Sequence, residues 1–380
     1  MSGASESSAA IVLPSPRDAG AILTIDADAL RSNYAIIKNA VPKAEVAAVV
    51  KADAYGIGLE PASRVFSEAG CKTFFVAHGF EGVSLRKLLP NARIFVLNGA
   101  AEGLEPIFLL HNLVPVLNSL SQIGAWRNLA KAQNRSLDVA LHIDTGMNRL
   151  GLSPADCQDL ADPQTLKGLH IVHVMSHLAC ADQPAHEMNK RQLALFNSLR
   201  KTLCAAPASL ANSAASLSRP DFHLDMVRVG IALYGGNPFG SLPNPMRTVA
   251  TLKARILQRR ESAEGETVGY GATYALKKTA RLATAAIGYA DGLPRLLSNR
   301  GRGYFSNGGF ASIVGRVSMD SITLDVSDLP EEACTPETWV EVMGAHVGVD
   351  EVADLSETIS YEILTGITSR VAREYVNMPQ

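Results

Sequence analysis

The chain has 380 residues, 47 % of them hydrophobic and 19 % charged. That is enough for one large core plus a second domain, and too apolar for disorder. Its net charge of -2 and pI of about 6.5 give no global field that would favour nucleic acid or an acidic membrane surface. The five cysteines (Cys71, Cys157, Cys180, Cys204 and Cys334) are odd in number and free of CxxC spacing. They indicate a reducing compartment and no metal site. Residues 1–20, rich in Ser and Ala, lack a basic start and a continuous apolar stretch, so a loose tail is expected and not an export signal. No run of 18 apolar residues occurs, so no membrane span is expected, and a cytoplasmic location follows.

Beyond the tail, one pattern repeats: a short apolar run, then a segment of helical periodicity. The runs are Val46–Val50, Thr73–Ala77, Arg93–Leu97, Leu113–Leu117, Leu137–Ile143, Leu169–Met175, Ser209–Ala211 and Met226–Val229. Predicted helices between them are Leu59–Ala69, Phe80–Leu89, Gly103–Leu110, Ser119–Ala132, Pro154–Leu160, Ala185–Ala205 and a short one from Ala214. Eight βα units predict an α/β fold closed as an eight-stranded (β/α)8 barrel over 21–237. A doubly wound open sheet is the rival, disfavoured because no Gly-rich dinucleotide turn follows the first strand. Gly and Pro cluster from Gly235 to Pro245, and the remainder, 238–380, reads as a mostly β domain. Its predicted strands are Val249–Leu257, Glu266–Tyr274, Arg281–Tyr289, Ala311–Val317, Ile322–Val326 and Trp339–Met343, with a final helix Ser360–Tyr375.

The apolar runs of the first half end in polar residues: Lys51, His78, Asn98, Asp144 with Arg149, His177, Asn212 with Ser213, and Arg228. One polar residue at a strand end is usually a capped structural group. Their joint occurrence at the carboxyl ends of parallel strands marks the reactive face of a barrel. Lys51 follows five small apolar residues, and an amine held between apolar walls loses basicity and can form imines. Arg228 interrupts an apolar strand and needs an acceptor, because a guanidinium does not give up its proton. Ser213 and the Gly230 and Ile231 amides fall on the last two strands, where barrels often hold a phosphate. An imine-forming lysine beside a phosphate cradle points to pyridoxal phosphate, with a cofactor-free aldolase as the competing enzyme reading. In the β half, Tyr270 and Tyr289 are flanked by glycine and alanine, and neither motif alone would reveal catalysis.

AVVKADAYGIG, HIDTGMNRLG, SHLACAD, NSAAS, MVRVGIALYG, VGYGATY, IGYADG, GRVSMD and SYEI occur in that order over residues 48–363. Together they closely resemble the pyridoxal-phosphate-dependent alanine racemases, over roughly residues 21–376. The resemblance implies a barrel plus β domain and interconversion of L- and D-alanine by two bases. A racemase of broader amino-acid specificity on the same scaffold would keep every motif. The product would serve peptidoglycan synthesis or alanine catabolism, and the functional unit would be a homodimer with shared active sites.

Carried over residue by residue, Lys51 resembles the Schiff-base lysine and one catalytic base. Tyr270 resembles the opposite base, which in this family reaches the partner subunit's site. Arg228 would face the ring nitrogen, with His177 in the network that tunes the tyrosine. Tyr55, Asn212, Ser213, Gly230, Ile231 and Tyr361 would surround the cofactor and its phosphate. Arg149 and the Met319 amide would meet the substrate carboxylate, and Tyr289 would line the entrance. Asp320 matches its motif without a firm role. Two bases are what racemisation requires, since a proton must leave one face of a flattened carbon and return on the other. Free tyrosine titrates near ~10, so cations must stabilise its phenolate. Two positions depart from the family pattern. His142 stands where many relatives carry a carbamylated lysine, so no carbamate is expected beside Arg149. Ile57 stands where histidine is common, and only a local packing change is expected there.

Overall fold

The computed structural model describes residues 14–16, 18–203, 205–240 and 242–378. They divide into two compact units. One comprises Asp26–Val249 with the residues from Tyr375 onward, the other Ala250–Glu374 with those up to Ile25.

After strand β1 (Ala21–Asp26), eight parallel strands follow: β2 (Glu45–Val49), β3 (Thr73–Val76), β4 (Arg93–Val96), β5 (Val114–Leu117), β6 (Leu137–His142), β7 (Leu169–Met175), β8 (Ala208–Ser209) and β9 (Met226–Val229). They pair in chain order, and β9 returns to β2 with Ala47 opposite Arg228, so the sheet closes into the expected barrel. Every residue of β3, β5 and β9 is buried. That is the mark of strands covered by helices outside and side chains inside, and it explains why these runs are apolar without alternation. The covering helices include Leu59–Glu68, Gly79–Leu88, Leu120–Ala132 and Glu187–Leu203.

The second unit is antiparallel. Its strands are β10 (Ala250–Ser262), β11 (Thr267–Val268), β12 (Tyr274–Ala275), β13 (Ala280–Ala285), β14 (Arg302–Phe305), β15 (Gly309–Ile313), β16 (Ile322–Asp325), β17 (Trp339–Met343) and β18 (Ala372–Val376). The main sheet runs β13-β16-β15-β14-β17-β10-β1-β18, and β10 also pairs with β13. Strand β10 meets β17 along one edge, while along the other β1 pairs with it over 250–254 and β13 takes over from Ile256 onward, with register irregularities at Leu252/Lys253 and Ile256/Gln258. Such an irregularity bends a strand and lets a small sheet curl on itself.

Four expectations change. Residues 21–25, assigned to the barrel from sequence, pair antiparallel with β10, Ala21 opposite Ala254. Their burial alternates strictly, as in a sheet with one covered face. The helix Ala27–Ala40, capped by the Asp26 side chain on the Asp28 amide, was not anticipated. Glu266–Tyr274 is not one strand: Gly269 and Gly271 both take φ 74° and Ala272 takes φ 49°, folding a tight turn between β11 and β12. The final helix stops at Gly366, where Ile367 turns extended and the Thr368 amide bonds to Asp291 O, and the chain continues into β18. The expected tail falls largely on residues 1–13 and 17, outside the described residues, as does Cys204. Among the described residues no helix is long and apolar enough to cross a membrane.

Candidate active site

Lys51 leaves β2 through Val50 and enters a turn of unusual hand. Ala52, Asp53, Ala54 and Tyr55 all have φ between 52° and 59°, a left-handed helical turn closed by Gly56 at φ 82°. Runs of non-glycine residues in this region are costly, at about 1–2 kcal/mol each, and such strain gathers where geometry serves function. Internal bonds hold the turn: Ala54 N to Val50 O (3.0 Å), Gly56 N to Ala52 O (2.9 Å) and Gly58 N to Asp53 O (2.9 Å). Burial, then the nearby Arg149, hold the Lys51 amine below its ordinary range, while Glu81 opposes them.

Arg228 projects from the middle of β9 and is 4 % exposed. Its Nη1 donates to Ser209 Oγ (2.5 Å), and its Nη2 donates to Ser176 O (2.5 Å) and reaches His177 Nδ1 (3.3 Å). A guanidinium only donates, so His177 Nδ1 accepts and the neutral ring carries its proton on Nε2. The Ser209 hydroxyl, which accepts from Arg228, also meets His173 Nε2 at 2.7 Å. Burial and then Arg228 hold His177 well below the usual imidazole range, and burial first, Arg228 next, bring His173 down to about 3. Burial alone lowers Arg228 to about 9.

His142 ends β6 beside Asn118. The Asn118 amide nitrogen donates to Leu97 O (2.9 Å) and Val116 O (2.8 Å), so its oxygen faces His142 Nδ1 at 2.8 Å and must accept from it. His142 Nε2 is therefore a bare acceptor, and burial followed by Arg228 lowers the ring to about 4. The next loop is tied by Asp144, whose carboxylate accepts from the Gly146, Met147 and Asn148 amides and places exposed Arg149 just beyond.

Just beyond strand β8, Asn212 caps the short helix Ser213–Ser218 by accepting from the Ala215 amide. Ser213 Oγ accepts from the amides of Gly230 (3.1 Å) and Ala232 (3.4 Å). Gly230 has no room for a side chain, since a Cβ would strike Tyr55 Oη. Tyr55 in turn stacks on Tyr234, ring centroids 4.6 Å apart. The structure thus gathers Lys51, Tyr55, Arg149, His177, Asn212, Ser213, Arg228, Gly230 and Ile231 at the carboxyl ends of the barrel strands. The carboxylates of Asp144 and Glu81 are spent on backbone amides. Among the described residues Lys51, Arg149 and Arg228 form no ion pair within the chain. A cradle with this excess of positive charge fits an anionic ligand.

In the β unit, Tyr270 is 70 % exposed at the tip of the β11–β12 hairpin. Tyr289 and Met319 lie on one pair of loops, because a Cβ at Gly288 would collide with the carbonyls of Ser318 and Met319, and the Tyr289 amide bonds Ser318 O at 3.0 Å. Arg370 bridges Asp291 (3.0 Å) and Asp320 (2.6 Å), which gives Asp320 a structural role in the same cluster. Tyr361 sits in the helix Ser360–Gly366.

Sequence reasoning missed Glu81, Ser209, Asn118 and His173. Glu81 alone carried a signal, an acidic residue three positions after the strand-end His78, the spacing of a helix N-terminal clamp. The other three act at long range, and nothing local announces them.

Two family profiles match the chain: "alanine racemase, N-terminal domain" over residues 25–238 and "alanine racemase, C-terminal domain" over 249–375. A catabolic alanine racemase of Agrobacterium fabrum is 47 % identical over 93 % of this chain and 92 % of its own length. An alanine racemase of Rhodospirillum rubrum is 44 % identical, covering 94 % and 96 %. The crystal structure of alanine racemase from Bartonella henselae with covalently bound pyridoxal phosphate superposes with a TM-score of 0.90 at 39 % identity, covering 94 % of this chain and all of that one. Fold and site define the class, a two-part enzyme with a lysine-bearing α/β barrel and an antiparallel β domain. The chain belongs to the alanine racemase family.

Proposed function

We propose that this enzyme interconverts L- and D-alanine with pyridoxal 5'-phosphate as its cofactor. The observation that carries the reading is Lys51, an amine of depressed basicity at a left-handed turn, in a cradle whose cations have no anionic partners among the described residues. When bound, the cofactor acidifies the α-hydrogen of an amino acid by drawing the charge left behind into its ring.

The residues supply the rest. Lys51 would anchor the cofactor covalently and, as a free amine, would take or return the α-proton on one face. The partner subunit's Tyr270 would do so on the other. Arg228 would donate toward the ring nitrogen of the bound cofactor and would hold it largely unprotonated, since two cations there would repel. That would limit charge withdrawal and so suppress transamination. His177, with its proton on Nε2, can donate to the phenolate of a tyrosine base and lower its basicity. Asn212, Ser213, the Gly230 and Ile231 amides, Tyr55 and Tyr361 hold the phosphate. Arg149 and the Met319 amide meet the substrate carboxylate, with His142 Nε2 as a neutral acceptor to orient Arg149. Tyr289 narrows the entrance. In domain terms the barrel binds the cofactor, and the β domain from residue 238 supplies Tyr270. The working enzyme is a cytoplasmic homodimer that engages neither nucleic acid nor membrane. Catabolic and biosynthetic relatives lie at similar distance, so the metabolic direction follows from the organism's use of D-alanine.

A chiral panel with purified protein tests this directly. Fast interconversion of alanine with little turnover of lysine, serine or arginine is expected. Equal turnover of the larger substrates would favour a broad-specificity racemase, and no turnover of any would sink the proposal. Shared sites predict that mixing inactive Lys51→Ala and Tyr270→Phe proteins restores activity through hybrid dimers, whereas self-contained sites would give none.

A further inference from the structure

Of the bonds that hold the turn after Lys51, the first has a different origin from the rest. The Ala52 amide does not find a carbonyl of its own segment but donates to Glu81 Oε1 at 2.7 Å. Glu81 lies 29 residues further on, in the first turn of the helix Gly79–Leu88, and is 9 % exposed. Its other oxygen accepts from the Ala77 amide (2.8 Å) and the His78 amide (2.9 Å) at the end of β3. The peptide plane between Lys51 and Ala52 is thus tied to the neighbouring barrel strand through one carboxylate.

We infer that Glu81 is a positioning residue for Lys51: its carboxylate fixes the Lys51–Ala52 peptide and thereby sets the left-handed turn that aims the lysine. This rests on the proposed role of Lys51 in racemisation. The geometry dictates the residue type. Three N–H donors converge on two oxygens, so only a group that accepts on both sides satisfies them. Glutamine would set its NH2 against at least one amide hydrogen, and aspartate is a methylene too short to span both strands. A turn with four residues in the left-handed region has no intrinsic preference for its shape, so an outside tether decides its orientation. The same carboxylate adds negative charge beside an amine that burial and Arg149 otherwise discharge.

The test compares wild type, Glu81→Gln and Glu81→Asp as holoenzymes. Both variants should bind pyridoxal phosphate stoichiometrically, while kcat/KM for alanine falls roughly 10- to 100-fold from misplacement of the base. If Lys51 is the affected base, one of the two proton transfers becomes more rate-limiting. The Cα-deuterium isotope effect should then rise for one enantiomer and fall for the other. The pH at which the bound cofactor's long-wavelength absorbance changes should also move down, by about one unit in Glu81→Gln. Unchanged isotope effects and an unchanged spectral midpoint, whatever happens to the rate, would overturn the inference. Should the variants not fold, wild type still decides it. The Ala52 amide, observed by NMR in protein labelled with 15N-alanine, should exchange slowly, and free exchange would refute the tether. A wild type without racemase activity fails the functional reading first, whereas an active wild type beside indifferent variants fails this inference alone.

Discussion

The barrel mouth and the β unit treat their charged side chains in opposite ways, although elsewhere the barrel unit also pairs its charges, as in Arg93 with Glu45 and Arg219 with Asp221. In the β unit, several arginines find carboxylates within the chain. Arg302 holds Glu351 with two parallel bonds of 2.7 and 2.9 Å, Arg300 meets Glu357 at 2.6 Å, and Arg370 spans two aspartates. At the barrel mouth, Lys51, Arg149 and Arg228 have none among the described residues, and the acids within reach are occupied by backbone amides. Charges answered inside the chain hold loops in place. Charges left unanswered, above all the buried guanidinium of Arg228, are tolerated only where something else completes them.

The largest effect should come from Lys51→Ala, which removes both the covalent anchor and one base. Racemisation followed by chiral chromatography should fall on the order of 10³-fold or more, and a loss below tenfold would break the distinction between the two kinds of charge. Next comes Arg228→Gln. Loss of charged hydrogen bonds, each worth roughly 1.5–3 kcal/mol, should slow turnover roughly 10- to 100-fold.

Acid should expose the barrel's buried imidazoles. His142 and His173 titrate at about 4 and about 3 in the fold, below the unfolded value near ~6.5. Between that value and the folded ones the unfolded chain binds protons that the native state refuses, so stability present at neutral pH drains as pH falls. The slope is about 1.4 kcal/mol per pH unit per imidazole. A melting temperature that dropped no less steeply in His173→Gln would contradict the assignment. The smallest effect belongs to Arg302→Ala in the β unit. Its partly exposed pair should cost under about 1 kcal/mol and leave racemisation unchanged, read by denaturant titration and by rate.

The same contrast governs how much could be read in advance. Barrel strands buried on both faces write themselves as apolar runs, so all eight were legible within a residue or two, and a polar residue at the end of such a run stands out. Lys51 and Arg228 were visible for that reason. The left-handed hand of the turn was not, because Ala52, Asp53 and Ala54 have no local preference for it and the tether comes from Glu81. In the β half, segments such as Glu266–Tyr274 mix strand-formers with glycines. There the backbone at Gly269 and Gly271, not the side chains, decides between a strand and a turn. Ser209 escaped notice because a lone serine at a strand end reads as a cap, and only the fold brings Arg228 to it.

Strand β1 leaves the ribosome before any of the barrel, yet its hydrogen-bonding neighbours β10 and β18 begin only at Ala250 and Ala372. The smaller fold therefore starts its synthesis with an orphan edge that waits while an entire α/β barrel emerges behind it. A fragment beginning at the apparent domain border near residue 238 would lack the strand that covers Ala250–Ala254 of β10, leaving that stretch of edge open to any passing chain.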